Sequence, residues 1–262
     1  MKYRISYSCL SHIGNCRKTN QDCFLCASNC IYSGAKGNET EEIHGSINAS
    51  ENHIFGVFDG MGGEECGEIA SYLAAEAASK FIMNGLPQEI LKTICDKANT
   101  EIYEYALTNS IGTMGTTAAL LLFAKKEICL CNVGDSKIFR CSKGSLVQIS
   151  QDHVYSLSIK GKPPLTQYLG IPPSEMEVHP YFSIGSYQEG DIYLICSDGL
   201  TDMVSTERIA DILASRPFIN AANDLLSEAL TNGGRDNITI IVCKIIREHN
   251  CIQNLFTKKE WE

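Results

Sequence analysis

The sequence predicts an α+β protein in which β-sheets pack on one another beneath layers of helices. Two patterns carry that prediction. Helical periodicity comes in back-to-back pairs, and strand-like segments come in runs instead of alternating singly with helices. Size agrees: 262 residues, 44% apolar and 20% charged, can bury a full core and lie near the upper limit of one domain.

In chain order, early strands are expected over residues 22–26 and 53–58. Residues 33–52 are rich in Gly, Asn, Ser and Glu without apolar periodicity, and are expected to form an exposed loop or loose hairpin. Ile69, Tyr72, Leu73 and Ala77 then follow helical spacing after a glycine-rich turn, and Ile90, Ile94, Ala98, Ile102 and Tyr105 do so after Pro87. From Thr116 the character changes to an antiparallel meander. Residues 118–123, 128–133, 137–140 and 146–149 are apolar or β-branched, divided by turn chemistry such as Lys143-Gly144. Gly161-Lys162-Pro163-Pro164 and Pro172-Pro173 mark an irregular stretch before a strand at 192–196. Helical stretches at 206–213 and 219–230 and a last strand at 237–246 follow. With no repeat and no interdomain linker, residues 1–246 are expected to be a single domain. Residues 247–262 form a short tail whose Lys258-Lys259 and Trp261 suggest no chemistry.

The charge balance, 22 Lys and Arg against 31 Asp and Glu, gives a net charge of −9. That disfavours nonspecific binding to nucleic acid or to an anionic membrane, and favours basic ligands and metal ions. The thirteen cysteines are scattered and often sit inside apolar runs such as Ile128-Cys129-Leu130-Cys131, which reads as small buried side chains in a reducing compartment. The sharper alternative is zinc at Cys23-x-x-Cys26 with Cys30, but no second Cys-x-x-Cys or His pair completes the set. The N-terminus does not read as a signal peptide, and the longest apolar stretch, 118–124, is far short of the roughly 20 residues that span a bilayer. A cytoplasmic location without membrane attachment is expected.

Chemistry gathers where hydrophobic strands run into acids. Phe55-Gly56-Val57-Phe58 leads to Asp59-Gly60, and Tyr193-Leu194-Ile195-Cys196-Ser197 leads to Asp198-Gly199. Asp22 opens an early strand, and Asp236-Asn237 precedes the last one. One Asp-Gly pair is an ordinary turn. Four acids at strand ends are a different matter, because carboxylates about 4 Å apart repel by several kcal/mol at an effective dielectric near 20 and so need a cation or a proton. Oxygen ligands without a His or Cys cluster point to Mg²⁺ or Mn²⁺.

Six segments, in order and with matching rough spacing from about residue 5 to 246, carry a family resemblance. They are Arg17-x-x-Asn20-Gln21-Asp22, Asp59-Gly60-Met61-Gly62-Gly63, Gly115-Thr116-Thr117, Gly134-Asp135-Ser136, Ser197-Asp198-Gly199-Leu200 and Gly233-Gly234-Arg235-Asp236-Asn237. Together they resemble the metal-dependent protein serine/threonine phosphatases, the PPM or type 2C family, in its bacterial form. The resemblance implies a four-layer α/β/β/α sandwich, two antiparallel sheets flanked by helix pairs, with a two-metal centre at one end. It further implies that Asp59 bridges two Mg²⁺ or Mn²⁺ ions, that Asp22 and the Gly60 carbonyl serve one, and that Asp198 and Asp236 serve the other. Arg17 would bind the substrate phosphate, and Asp152 would join Asp198 at a weaker third metal.

The activity so implied is hydrolysis of phosphoserine and phosphothreonine on proteins by water activated between two metals, without a phosphoenzyme. The partner would be a phosphoprotein linked to a serine/threonine kinase or its targets, and the protein a monomer. The alternatives are a catalytically inactive binding module, which the presence of all four acids disfavours, and a nuclease, which the acidic balance disfavours. Met61 stands where many eukaryotic members carry a candidate acid His, which leaves the leaving-group proton donor open. His153 is a candidate by position only, and Gly134-Asp135-Ser136 reads as scaffold.

Overall fold

A computed structural model describes residues 2–28, 30–33, 41–62, 66–81, 85–125, 127–156 and 162–248. Its strands are β1 (Tyr3–His12), β2 (Asp22–Cys26), β3 (Cys30–Ser33), β4 (Glu41–Asn48), β5 (His53–Gly62), β6 (Met114–Thr116), β7 (Ala118–Ala124), β8 (Glu127–Val133), β9 (Lys137–Ser142), β10 (Ser145–Gln148), β11 (Tyr181–Ser186), β12 (Ile192–Cys196) and β13 (Ile238–Arg247). Its helices are α1 (Gly67–Ser79), α2 (Pro87–Thr108), the single turn α3 (Asp198–Thr201), α4 (Thr206–Ser215) and α5 (Ala221–Thr231).

The strands make two antiparallel sheets, ordered β10-β9-β12-β13-β1-β4 and β11-β8-β7-β5-β2-β3, with β6 pairing to β5. Period-two alternation explains why they stack. In β7, Ala119, Leu121 and Phe123 enter the core between the sheets, while Ala118, Leu120 and Leu122 enter the core under α1 and α2. In β13, Ile241, Cys243 and Ile245 face the other sheet, while Ile240 and Val242 face α4 and α5. A strand buried on both faces reads as an unbroken apolar run, as these do. The resulting layers are helix, sheet, sheet, helix, as expected.

Local chemistry fixes the helices. Pro87 opens α2 at its first position, where the missing N–H costs nothing, and the Ser205 hydroxyl caps α4 by accepting from Arg208 N at 3.3 Å. Ala70, Ala74, Ala75, Ala77 and Ala78 give α1 a smooth buried face against the sheet.

One expectation needs revision. Residues 33–52 are not simply a loop: 41–48 form β4, paired to β1 from Arg4↔Asn48 to Ser11↔Glu41. Its inward side offers only Ile43, Gly45 and Ile47, too sparse to register as apolar alternation. Residues 34–40 lie outside the described residues, as does the tail from 249. The zinc alternative fails on geometry, because Cys23 points into the core under α1 and α2 while Cys26 points into the core between the sheets. Among the described residues no helix is long and apolar enough to cross a membrane.

β1 was not foreseen, yet with β13 it forms a ten-residue antiparallel pair from Tyr3↔Arg247 to His12↔Ile238. That pairing delivers the chain after His12 to one end of the sandwich, beside the start of β13.

Candidate active site

Asp22, Asp59, Asp198 and Asp236 meet at that end, Asp59 from within β5, which runs on to Gly62 instead of stopping at 58, and the other three from beside strand termini. Asp22 opens β2 and is the cross-strand partner of Asp59 on β5. Asp198 follows β12 as the first residue of α3, and Asp236 stands two residues before β13. Gly199 lets α3 approach that neighbour, since a Cβ there would strike the Asn237 carbonyl.

Side-chain hydrogen bonds hold these segments in place. Asn237 accepts from Gln21 N at 2.9 Å and donates to the carbonyls of Ile13, at 2.9 Å, and Thr19, at 3.0 Å, tying the Arg17–Asp22 segment to β13. The Gly-Thr-Thr motif clamps the Asp59 backbone. Thr116 Oγ1 donates to Asp59 O at 2.9 Å, and Thr117 Oγ1 accepts from Asp59 N at 3.0 Å. Asp22 Oδ2 accepts from Ser197 Oγ at 2.8 Å and Thr239 Oγ1 at 2.7 Å.

The electrostatics are those of crowded, desolvated anions. Burial is the main cause that pushes Asp22 up to about 6; the two hydroxyls oppose it and the Asp236 charge adds to it. Burial, then the Asp22 charge, holds Asp59 well above the usual carboxylate range. Asp22 Oδ1 and Asp198 Oδ1 are buried without a partner. Unpaired anionic oxygens of this kind are what a hard divalent cation would satisfy. Among the described residues no three His, Cys, Asp or Glu side chains close around one point. Two protein cations instead engage the acids: Arg17 Nη2 meets Asp236 Oδ2 at 2.6 Å, and Lys162 Nζ contacts Asp198 Oδ2 and lies 3.1 Å from Asp135 Oδ2. The donor set fits Mg²⁺ or Mn²⁺.

Two adjoining cavities open on the cluster. One, of about 240 Å³, is lined by Asp59, Met61, Thr117, Asp135, Lys162 and Pro163 among others, and the second, of about 350 Å³, by Lys162, Asp202, Met203, Arg235 and Asp236 among others. A cavity of about 320 Å³ at the opposite end of the sandwich, with Lys2 and Lys125 in its wall, has no carboxylate lining.

Asp152, expected at a third metal, is linked to the cluster only through Lys137, which also donates to the Asp135 carbonyl at 3.2 Å. Its carboxylate is taken by a short ion pair with Lys137 and by Gln148 Nε2 at 2.7 Å. Asp135, which the sequence suggested was scaffold, is there instead, only 4% exposed. The left-handed turn at Gly134, φ +95°, aims it into the cleft. Its signal was the strand-then-acid pattern of Asp59 and Asp198, here Val133-Gly134-Asp135. His153 is no proton donor to the cleft: its Nδ1 accepts from Gly134 N at 3.3 Å, bracing the Asp135 turn. Lys162, Asp202 and Thr239 carry no local signal in the sequence, and Ser197 stands in a motif that does not announce its bond to Asp22.

Comparison with known proteins agrees with this geometry. The protein family described as protein phosphatase 2C matches residues 37–233. The chain is 32% identical over 218 residues to the serine/threonine phosphatase Stp of Listeria welshimeri, covering 74% of this chain and 85% of that protein. It is 29% identical over 257 residues to the serine/threonine protein phosphatase PstP of Mycobacterium tuberculosis, covering 92% of this chain but only 45% of that protein, so it spans about half the length of that relative. A crystal structure of the PstP catalytic domain in complex with two manganese ions superposes with a TM-score of 0.75 at 26% identity, over 94% of this chain and all of that one.

Proposed function

The chain belongs to the protein phosphatase 2C family, and from that membership we propose that it hydrolyses phosphoserine and phosphothreonine on proteins with the help of two divalent metal ions. The observation that carries this reading is the convergence of four carboxylates on one cleft, with Asp22 Oδ1 and Asp198 Oδ1 buried and without a protein donor.

Asp59, Asp198 and Asp236 would hold one ion, and Asp59, Asp22 and the Gly60 carbonyl the other. Bound there, Mg²⁺ or Mn²⁺ supplies a water of lowered pKa and neutralises phosphoryl oxygens. The chain's own residues do the rest. Arg17, its side chain 52% exposed at the cleft mouth, can exchange the Asp236 carboxylate for two phosphate oxygens, a match to its planar fork. Asn237 and Thr117 hold the acids at fixed spacing, so no reorganisation is required as charge develops. Among the described residues no histidine lines either cavity, which leaves the leaving-group proton donor open.

The acidic net charge suits neither nucleic acid nor an anionic membrane. The setting we propose is a cytoplasmic signalling circuit in which the chain, as a monomer, opposes a serine/threonine kinase. An inactive binding module is disfavoured because Asp22, Asp59, Asp198 and Asp236 are all present and converge.

The test is phosphate release from a phosphothreonine peptide with Mn²⁺, with excess chelator, and with Asp198→Asn. Activity confined to the Mn²⁺-loaded natural chain supports the reading. Folded, metal-binding protein that releases nothing with either Mn²⁺ or Mg²⁺ would exclude it.

A further inference from the structure

We infer that Lys162 is a tethered cation that occupies the position between Asp135 and Asp198, where a third divalent ion would otherwise sit, so that this chain binds two metal ions and excludes the third. The two-ion part rests on the phosphatase reading above; the role of Lys162 goes beyond it.

Asp135 and Asp198 are 4% and 3% exposed and belong to different sheet ends, one after β8 and the other after β12. Two desolvated carboxylates facing one space require positive charge or a proton. Asp198 Oδ1 has no hydrogen-bond partner, and the charge that Oδ2 faces is the Lys162 ammonium, which contacts it. The same ammonium lies 3.1 Å from Asp135 Oδ2. Of the other nearby cations, Arg17 pairs with Asp236, and Lys137 pairs with Asp152 and donates to the Asp135 carbonyl at 3.2 Å, so neither is on the Asp135 or Asp198 carboxylate.

Lys162 does not reach this point on a free chain. Pro163 and Pro164 follow it and fix the backbone direction. The Pro164 carbonyl then accepts from Tyr155 N at 3.1 Å, Leu165 bridges to Val154, and Thr166 N donates to His153 O at 2.8 Å. That short antiparallel contact anchors the arm to the segment that also braces Gly134. The ammonium is therefore presented at high local concentration, as a linked ligand is. Lys162 and Pro163 also line both cavities and stand between them.

An ammonium and a third divalent ion cannot both sit between Asp135 Oδ2 and Asp198 Oδ2, because they would occupy the same space and repel, whereas Asp198 Oδ1 stays open to the ion it would share with Asp59 and Asp236. A lysine suits the place as a compact point charge with three donors for several carboxylate oxygens.

Mn²⁺ binding to the full chain, followed by titration calorimetry and by counting free ion through its paramagnetic resonance, tests this. The natural chain is expected to take up about two ions, Lys162→Met about three, and the double variant Lys162→Met/Asp135→Asn about two again. Lys162→Arg, which keeps the charge, should stay at about two ions. Circular dichroism in chelator confirms that each variant folds. A natural chain that binds three ions, or a folded Lys162→Met that still binds two, overturns the inference. Failure of the underlying phosphatase reading would look different: every variant, the natural chain included, would lack the first two ions, and the role of Lys162 would fall with it.

Discussion

Asp22 and Asp59 are directly opposed residues in the β2–β5 register, so the sheet itself fixes two carboxylates side by side. Cross-strand like charges destabilise a sheet, and burial makes the repulsion worse. The arrangement is sensible only if something positive joins them.

The first prediction follows for the metal-free protein. Both folded-state pKa values are raised, Asp22 to about 6 and Asp59 beyond the usual carboxylate range, mainly by burial. An acid with a raised folded pKa costs nothing below its unfolded value and carries its full penalty above the folded one. In chelator, stability should therefore fall as pH rises from about 4 through 6, with Asp22 alone contributing on the order of 3 kcal/mol. Thermal melts in chelator at pH 5 and pH 7 check this, and Mn²⁺ should recover the loss at pH 7. A metal-free protein no less stable at pH 7 than at pH 5 would contradict the electrostatic account.

Arg17 yields a second prediction, because its pairing with Asp236 separates substrate binding from metal binding. Arg17→Ala should lower kcat/KM for a phosphopeptide by about 10²-fold, and Arg17→Lys by a similar factor, since a point charge does not replace a bidentate fork. Mn²⁺ affinity should hold or tighten, because Asp236 loses a competing cation. Loss of Mn²⁺ binding in parallel with activity would instead make Arg17 a support of the metal centre.

Much of this was legible in the chain, and the reasons differ by residue. β12 and β2 are legible at their true bounds because both are short apolar runs with an acid at one end, Asp198 after β12 and Asp22 at the start of β2. Helices α1 and α2 were legible from apolar spacing and Pro87. β11 and β4 were missed because half-buried edge strands need few apolar residues. Asp22, Asp59, Asp198 and Asp236 were found because each stands at or beside the end of an apolar run. Asp135 has the same local signature, but a Gly-Asp-Ser turn is also ordinary hairpin chemistry, and only the fold tells the two apart. The approach of Lys162 to Asp198 depends on the arm pairing Val154 with Leu165, which no local pattern announces.

Asp152 supplies a third prediction, since the structure assigns it to Lys137 and Gln148 instead of to metal. Asp152→Ala should leave kcat within about threefold and Mn²⁺ stoichiometry unchanged. It should still lower stability by about 1–2 kcal/mol, because Lys137 loses a partly buried partner. Removal of a bound Mn²⁺ by this substitution would restore Asp152 to the metal centre.

The last prediction concerns Asn237, which touches neither cavity yet holds the site together. Its one side chain satisfies Gln21 N, Ile13 O and Thr19 O, all in the segment that presents Arg17 and Asp22. Asn237→Ala leaves three backbone groups without partners at a position only 5% exposed, a loss of about 2–4 kcal/mol. Activity should drop by about 10–100-fold even at temperatures where the variant is fully folded, because the spacing of Asp22 from Asp59 and Asp236 is no longer fixed. Melting in chelator and kcat at saturating Mn²⁺ measure the two effects separately. A large fall in melting temperature with unchanged kcat would mean that the metals, once bound, position Asp22 without help from Asn237.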